Sequence, residues 1–208
     1  MPKERDTLLA LKQGIGGDDK NGVLAAWQPE VEHDCCQWTG VKCSNLTGHV
    51  VELWLGDDGL QGEVPNALGD MTSLQAVDLS YNEFIKRLPQ CSSNKLQELY
   101  LQSNNLVGLL PDSMPHLTRL VVLDLSGNNI TGPLTAFIQQ FANLSALDLS
   151  ANHFTGHVPS EIDCGPFFSL QEAYFASCLV GPRFPVWLKG QMDINRLDIL
   201  STGPDIYL

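Results

Sequence analysis

Apolar residues in this chain recur on a fixed schedule. In each unit, leucine-like residues stand first, fourth, sixth and eleventh, and asparagine stands ninth. The clean copies are Leu96, Leu99, Leu101, Asn104 and Leu106, then Leu120, Leu123, Leu125, Asn128 and Ile130, then Leu144, Leu147, Leu149, Asn152 and Phe154. Leu74, Val77, Leu79, Asn82 and Phe84 make another. Asn82, Asn104, Asn128 and Asn152 lie 22, 24 and 24 residues apart. Weaker copies extend both ways, through Val50, Leu53, Leu55, Asp58 and Leu60, through Leu170, Ala173, Phe175, Cys178 and Val180, and through Ile194, Leu197, Ile199 and Thr202. The alternation around the central apolar pair predicts a short strand, with those two side chains inward and the residue between them outward. Seven strands follow, the last in a coil cut short at Leu208. No single unit can bury its own apolar face, so the units must stack in parallel. Each asparagine then turns inward and satisfies backbone groups at the bend of its coil.

A second pattern follows each asparagine. It reads Leu60, Gly62, Val64, Pro65, then Leu106, Gly108, Leu110, Pro111, then Phe154, Gly156, Val158, Pro159. The glycine permits a tight bend, and the proline ends a short strand without needing a donor. Two copies depart. Thr135 replaces the proline after Ile130, and Lys86 replaces the glycine after Phe84. Those departures are expected to distort the coil locally. Cys178 fills the asparagine slot of its copy and is expected to be a buried structural thiol.

The first 49 residues differ. Glu4 to Gln13 predicts an amphipathic helix, with Leu8, Leu9 and Leu11 apolar, stopped by Gly14, Gly16 and Gly17. These glycines have no preceding strand and no following lysine-bearing helix, so they predict a loop and not a phosphate cradle. A second short helix is predicted over Val23 to Trp27. Three of the six cysteines, Cys35, Cys36 and Cys43, fall close together, which suits an oxidised cap.

The repeat is the leucine-rich-repeat signature, and the chain as a whole resembles the ectodomains of plant leucine-rich-repeat receptor-like proteins. The resemblance rests on Glu4-Arg5 with Leu8-Leu9 and Leu11-Lys12, then Trp27, then Asp34-Cys35-Cys36, Trp38, Gly40-Val41 and Cys43, then Thr47-Gly48-His49-Val50. Phe175 to Cys178 and Gly181 to Leu188 resemble later repeats of that group. The family implies an α/β fold: a leucine-rich-repeat solenoid with a curved parallel β-sheet on its concave face and a helical, cysteine-containing N-terminal cap. It divides the chain into a cap, 1–49, and about seven repeats, 50–208, the last incomplete. It implies a Cys36–Cys43 disulfide, with Cys35 left as a free thiol. Relatives carry a leader, more repeats and a membrane span. None of these is visible in this chain, which reads as a truncated member, extracellular or plasma-membrane-associated by resemblance.

Composition narrows the function. Net charge is −12, from 24 acidic and 12 basic residues, so a nucleic-acid or anionic-lipid partner is not expected. No apolar run reaches the roughly 18 residues of a membrane span. No catalytic constellation is present, and no metal or cofactor is expected. His153 and His157 are four apart, but in a turn-and-strand segment with no glutamate between them. His33, Cys35, Cys36, Cys43 and His49 suit disulfide chemistry better than zinc. Asp57 and Asp58 read as solvated surface.

The useful surface is the concave face. Between the core positions stand Trp54, Asp78, Tyr100, Asp124, Asp148, Tyr174 and Asp198. Two residues earlier stand Glu52, Ala76, Glu98, Val122, Ala146, Glu172 and Arg196. Aromatic anchors in a polar field suit a protein or peptide ligand. Aspartate repeated in Leu123–Ser126 and Leu147–Ser150 also reads as scaffold. Asn45, Asn129 and Asn143 begin Asn-x-Ser/Thr tripeptides, glycosylation candidates in a secreted chain. The expected function is non-enzymatic recognition of a peptide or protein in defence or developmental signalling, passed on through a co-receptor kinase. The alternatives are a secreted inhibitor of pectin-degrading enzymes and an inactive truncated product.

Overall fold

The computed structural model describes residues 2–17, 19–91, 93–133, 141, 143–155, 170–178 and 193–198. The chain opens with helix α1 (Pro2–Gly14), strand β1 (Ile15–Gly17) and strand β2 (Val41–Cys43). The first strands of successive coils are β3 (Val50–Trp54), β5 (Ala76–Asp78), β7 (Glu98–Tyr100), β9 (Val122–Asp124), β11 (Ala146–Asp148), β13 (Glu172–Tyr174) and β14 (Arg196–Asp198). They pair in parallel in that order, and β2 closes the edge antiparallel to β3. The second strands are β4 (Leu60–Glu63), β6 (Glu83–Lys86), β8 (Asn105–Gly108), β10 (Asn129–Pro133) and β12 (His153–Thr155). They form a second parallel sheet, closed by β1 antiparallel to β4.

The core follows from the apolar schedule. Leu53, Val77, Leu99, Leu123, Leu147 and Ala173 pair in register and are buried, as are Leu55, Leu79, Leu101, Leu125, Leu149 and Phe175. The eleventh positions Leu60, Phe84, Leu106, Ile130 and Phe154 are buried too. Stacking turns single residues into continuous columns, which is how a short unit obtains a core.

The asparagines form a ladder between coils. Asn128 Oδ1 accepts from the Leu106 N–H of the preceding coil at 3.0 Å. Its amide donates to the Leu101 carbonyl of that coil at 2.9 Å and to its own Leu125 carbonyl at 3.0 Å. Asn82, Asn104 and Asn152 repeat the arrangement on Leu60, Phe84 and Ile130. Cys178 sits in the same slot, and its thiol donates to the Leu149 carbonyl at 3.0 Å. Burial pushes that thiol up to about 12, so it stays protonated and inert.

The cap differs from expectation in two places. The glycines after α1 do not form a bare loop: Ile15–Gly17 are a strand on β4. Gly17 has φ +105°, and a side chain there would run into the Gly59 carbonyl. Only glycine lets the two backbones approach this closely. Val23–Trp27 is a hydrogen-bonded turn and not a helix. The Asp19 carboxylate accepts from the Leu24 and Ala25 N–H groups as a helix cap does, but the Trp27 and Gln28 N–H groups go to the Leu24 and Ala26 carbonyls, three and two residues back, so the helical ladder ends after one turn. Leu8 and Leu11 are buried, Trp27 stacks on Trp38 at 5.5 Å, and Cys36 is bonded to Cys43. Cys35 is buried and unpaired.

Asp58 is a correction. It is 1% exposed and not solvated surface, because it occupies the asparagine slot of the first coil; Asp57 beside it is exposed. Lys86 is another. β6 keeps its pairing with both β4 and β8, so the coil is not distorted. Lys86 itself adopts the left-handed φ of +64° that glycine takes elsewhere. Thr135, Gly156, Val158, Pro159, His157, Cys164 and 181–188 lie outside the described residues, as do Val180, Ile199 and Thr202.

Candidate functional site

Strand pairing sets the site. Trp54, Asp78, Tyr100, Asp124, Asp148, Tyr174 and Asp198 are successive partners across the long sheet, one per strand. Glu52, Ala76, Glu98, Val122, Ala146, Glu172 and Arg196 make the adjacent column in the same register. With neighbouring strands about 4.8 Å apart, each column is a straight row of side chains on one face.

The structure does not treat the residues of this row alike. Trp54 and Tyr100 come together, with ring centroids 6.4 Å apart. Trp54 Nε1 donates to Glu52 at 3.0 Å, and the Tyr100 hydroxyl donates to Glu98 at 3.2 Å. Burial, then the Glu98 charge, pushes the Tyr100 hydroxyl up to about 12, so it remains a donor. Tyr174 stands three strands beyond Tyr100, its hydroxyl donating to Glu172 at 3.4 Å. The two tyrosines are separate anchors.

The aspartates carry part of the scaffold. One oxygen of Asp78, Asp124 and Asp148 accepts from the N–H of Ser80, Ser126 and Ser150 respectively, closing the turn after each strand. The Ser126 and Ser150 hydroxyls also donate to their aspartates. Burial raises the Asp124 carboxyl above the ordinary range, with the Asp148 and Asp78 charges adding to it and the bonds from Ser126 opposing it. Basic residues stand at the edges. Lys42 on β2 meets Glu52 at 2.6 Å and holds that carboxyl below its ordinary range, and Arg196 on β14 lies 3.5 Å from Glu172. Lys42 is the site residue that sequence reasoning missed. The alternation of Val41, Lys42 and Cys43 beside Gly40 was its only signal, because no repeat begins there.

Other clusters offer less. Asp34, Cys35 and Cys36 bring three ligand-type atoms within 4.8 Å, but the Cys36 sulfur is committed to Cys43. His153 is exposed on β12. Asn45, Asn129 and Asn143 are exposed, and the Asn143 amide donates to the Thr118 carbonyl at 2.7 Å. No helix among the described residues is long and apolar enough to cross a membrane.

Comparison with known proteins places this geometry. Residues 1–44 match the leucine rich repeat N-terminal domain family, and residues 94–154 match the leucine rich repeat family. Receptor-like protein 50 of Arabidopsis thaliana is 38% identical over 137 residues, which are 61% of this chain and 15% of that protein. Receptor-like protein EIX1 of Solanum lycopersicum is 31% identical over 141 residues, 60% of this chain and 14% of that protein. The chain thus spans about a seventh of the length of these two curated relatives. Among solved structures, the Arabidopsis receptor kinase HAESA, in complex with the peptide hormone IDA and the co-receptor SERK1, superposes with a TM-score of 0.85 at 26% identity. That match covers 97% of this chain and 34% of HAESA.

Proposed function

We propose that this chain, which belongs to the leucine-rich-repeat ectodomains of plant receptor-like proteins, is a non-enzymatic recognition module that binds a peptide or protein on its concave face. The carrying observation is the unbroken register of Trp54, Asp78, Tyr100, Asp124, Asp148 and Tyr174 across one sheet. Rigid parallel strands hold these side chains at regular spacing, so a ligand meets a surface organised in advance. Aromatic rings supply contact area at low entropic cost, and the carboxylates supply direction. HAESA supports the reading, since its structure holds a peptide hormone and a co-receptor. The module serves a cell-surface protein in defence or developmental signalling, and a co-receptor kinase relays the signal. Asn45, Asn129 and Asn143 are the proposed glycan acceptors.

The test is retention of peptides from plant cell-wall fluid on the immobilised chain, identified by mass spectrometry. Replacing Tyr100 and Tyr174 together by alanine is expected to release peptides that the parent retains, because truncating one buried aromatic anchor costs about 2 kcal/mol. Identical retained sets from parent and variant contradict the reading.

A further inference from the structure

We infer that the Trp54–Tyr100 end of this face receives a cationic side chain of an extended basic peptide. The inference rests on the recognition role proposed above and specifies the partner's chemistry.

Ring geometry is the first argument. Trp54 and Tyr100 stand on β3 and β7, with β5 and Asp78 between them. Two strand spacings are about 10 Å, yet the ring centroids are 6.4 Å apart and the planes are inclined by 30°. The rings therefore lean toward each other above Asp78. Glu52 and Glu98 hold them by their polar groups, Trp54 Nε1 and the Tyr100 hydroxyl. The aromatic faces stay available, and Trp54 is 39% exposed. A cation within about 6 Å of such a face is attracted by its quadrupole. Here a single cation can meet two rings.

Charge is the second argument. Lys42 and Arg196 neutralise Glu52 and Glu172 at the two edges of the sheet. Between them, Asp78, Glu98, Asp124 and Asp148 have no basic partner among the described residues. An anionic ligand is repelled by this field, and a neutral one leaves it uncompensated. The face already handles one cation in this way, since the Lys42 ammonium docks on Glu52 beside Trp54.

Spacing is the third. Asp78 and Asp124 are two strands apart, about 10 Å. Three residues of a peptide in the polyproline II conformation rise about 9 Å and return the side chain to the same side. A peptide crossing the strands with a basic residue at every third position places one cation on the ring pair and the next near Asp124.

The test titrates the intact chain with the peptide Arg-Ser-Ser-Arg-Ser-Ser-Arg. The comparison peptide carries citrulline at each arginine, which keeps size and donors but removes the charge. Expected are 1:1 binding of the arginine peptide, at least tenfold tighter than the citrulline peptide, and affinity that falls as salt rises. Trp54→Ala and Glu98→Gln should each weaken it about tenfold or more. Both positions are at least partly exposed, so both variants should fold. The pair Glu30→Gln and Asp112→Asn removes the same kind of charge from exposed positions off this face and should leave binding unchanged. Absence of binding, equal binding of the two peptides, an equal loss in the control pair, or no loss in Trp54→Ala and Glu98→Gln overturns the inference. If cell-wall peptides still depend on Tyr100 and Tyr174 in that event, recognition by the face stands and only its cationic preference falls. If they do not, both readings fall.

Discussion

One slot, filled three ways, shows how much a single side chain decides. In Asn82, Asn104, Asn128 and Asn152 the amide oxygen accepts from backbone N–H and the amide nitrogen donates to carbonyls in two coils, so no buried group is stranded. Cys178 has one hydrogen to give, to the Leu149 carbonyl, and so reaches a single carbonyl where asparagine reaches several. Asp58 has neither amide hydrogen, and its Oδ1 is buried without a partner. Burial raises its carboxyl above the ordinary carboxylate range; the Asp19 and Asp57 charges add to this, and hydrogen bonding from Asn21 works against it. A carboxyl raised in the folded state stabilises the fold below its unfolded value, and that contribution is lost as pH climbs through the folded value. Asp58→Asn restores the donors. It is expected to raise stability at pH 7 by about 1 kcal/mol, with the advantage shrinking as pH falls into the acid range where the Asp58 carboxyl is protonated in both states. Urea denaturation of parent and variant at pH 7 and pH 4 checks this; a difference independent of pH contradicts it.

At the scale of the element, β6 shows where an irregular sequence puts its strain. Gly62, Gly108 and Gly132 turn their coils at φ +105°, +83° and +110°. Lys86 takes the equivalent turn at +64°. Pairing with two neighbouring strands is cooperative, so the sheet imposes its register and the residue adopts the costly backbone conformation. Lys86 also reaches back to form an ion pair with Glu63, both side chains largely exposed, which contributes little. Comparing Lys86→Gly with Lys86→Ala isolates the backbone effect, because both variants lose the ion pair. The glycine variant should be the more stable by about 1 kcal/mol, the cost of a left-handed residue with a Cβ. Equal thermal midpoints for the two variants would show that the turn is unstrained. β1 illustrates the same competition from the other side: Gly16 and Gly17 have weak strand propensity, yet contact with β4 makes them a strand.

At the scale of the whole molecule, each coil touches mainly its neighbours, so stability is close to a sum of local terms. The Cys36–Cys43 bridge closes a loop of sequence separation 7 beside β3. So short a loop should contribute no more than about 3 kcal/mol. Reducing it is expected to speed hydrogen exchange in β2 and β3, while the amides of Leu123 and Leu147, four and five strands along the long sheet, keep their protection. Uniform loosening of all coils on reduction contradicts nearest-neighbour behaviour. The excess negative charge is also distributed by the architecture, since strand register gathers Asp78, Glu98, Asp124 and Asp148 onto one surface.

The solenoid was legible because its information is local and repeated. Two core positions, one asparagine and one bend residue recur every 22 or 24 residues, and that period alone specifies strand, inward face and parallel stacking. The seven members of the outward row were legible for the same reason, because alternation is a property of a single strand. What the sequence left open was settled by contacts between segments far apart in the chain. The antiparallel edges β1 and β2 depend on partners 45 and about 10 residues away. Asp58 reads as an exposed acidic pair with Asp57, but the cap segment at Lys20 and Asn21 on one side and Asn82 of the next coil on the other close on it. Trp54 and Tyr100 stand 46 residues apart in sequence and meet only because two strands bring their rings within 6.4 Å. Periodicity fixes which face a side chain is on, whereas its neighbours on that face are decided by how the coils pack.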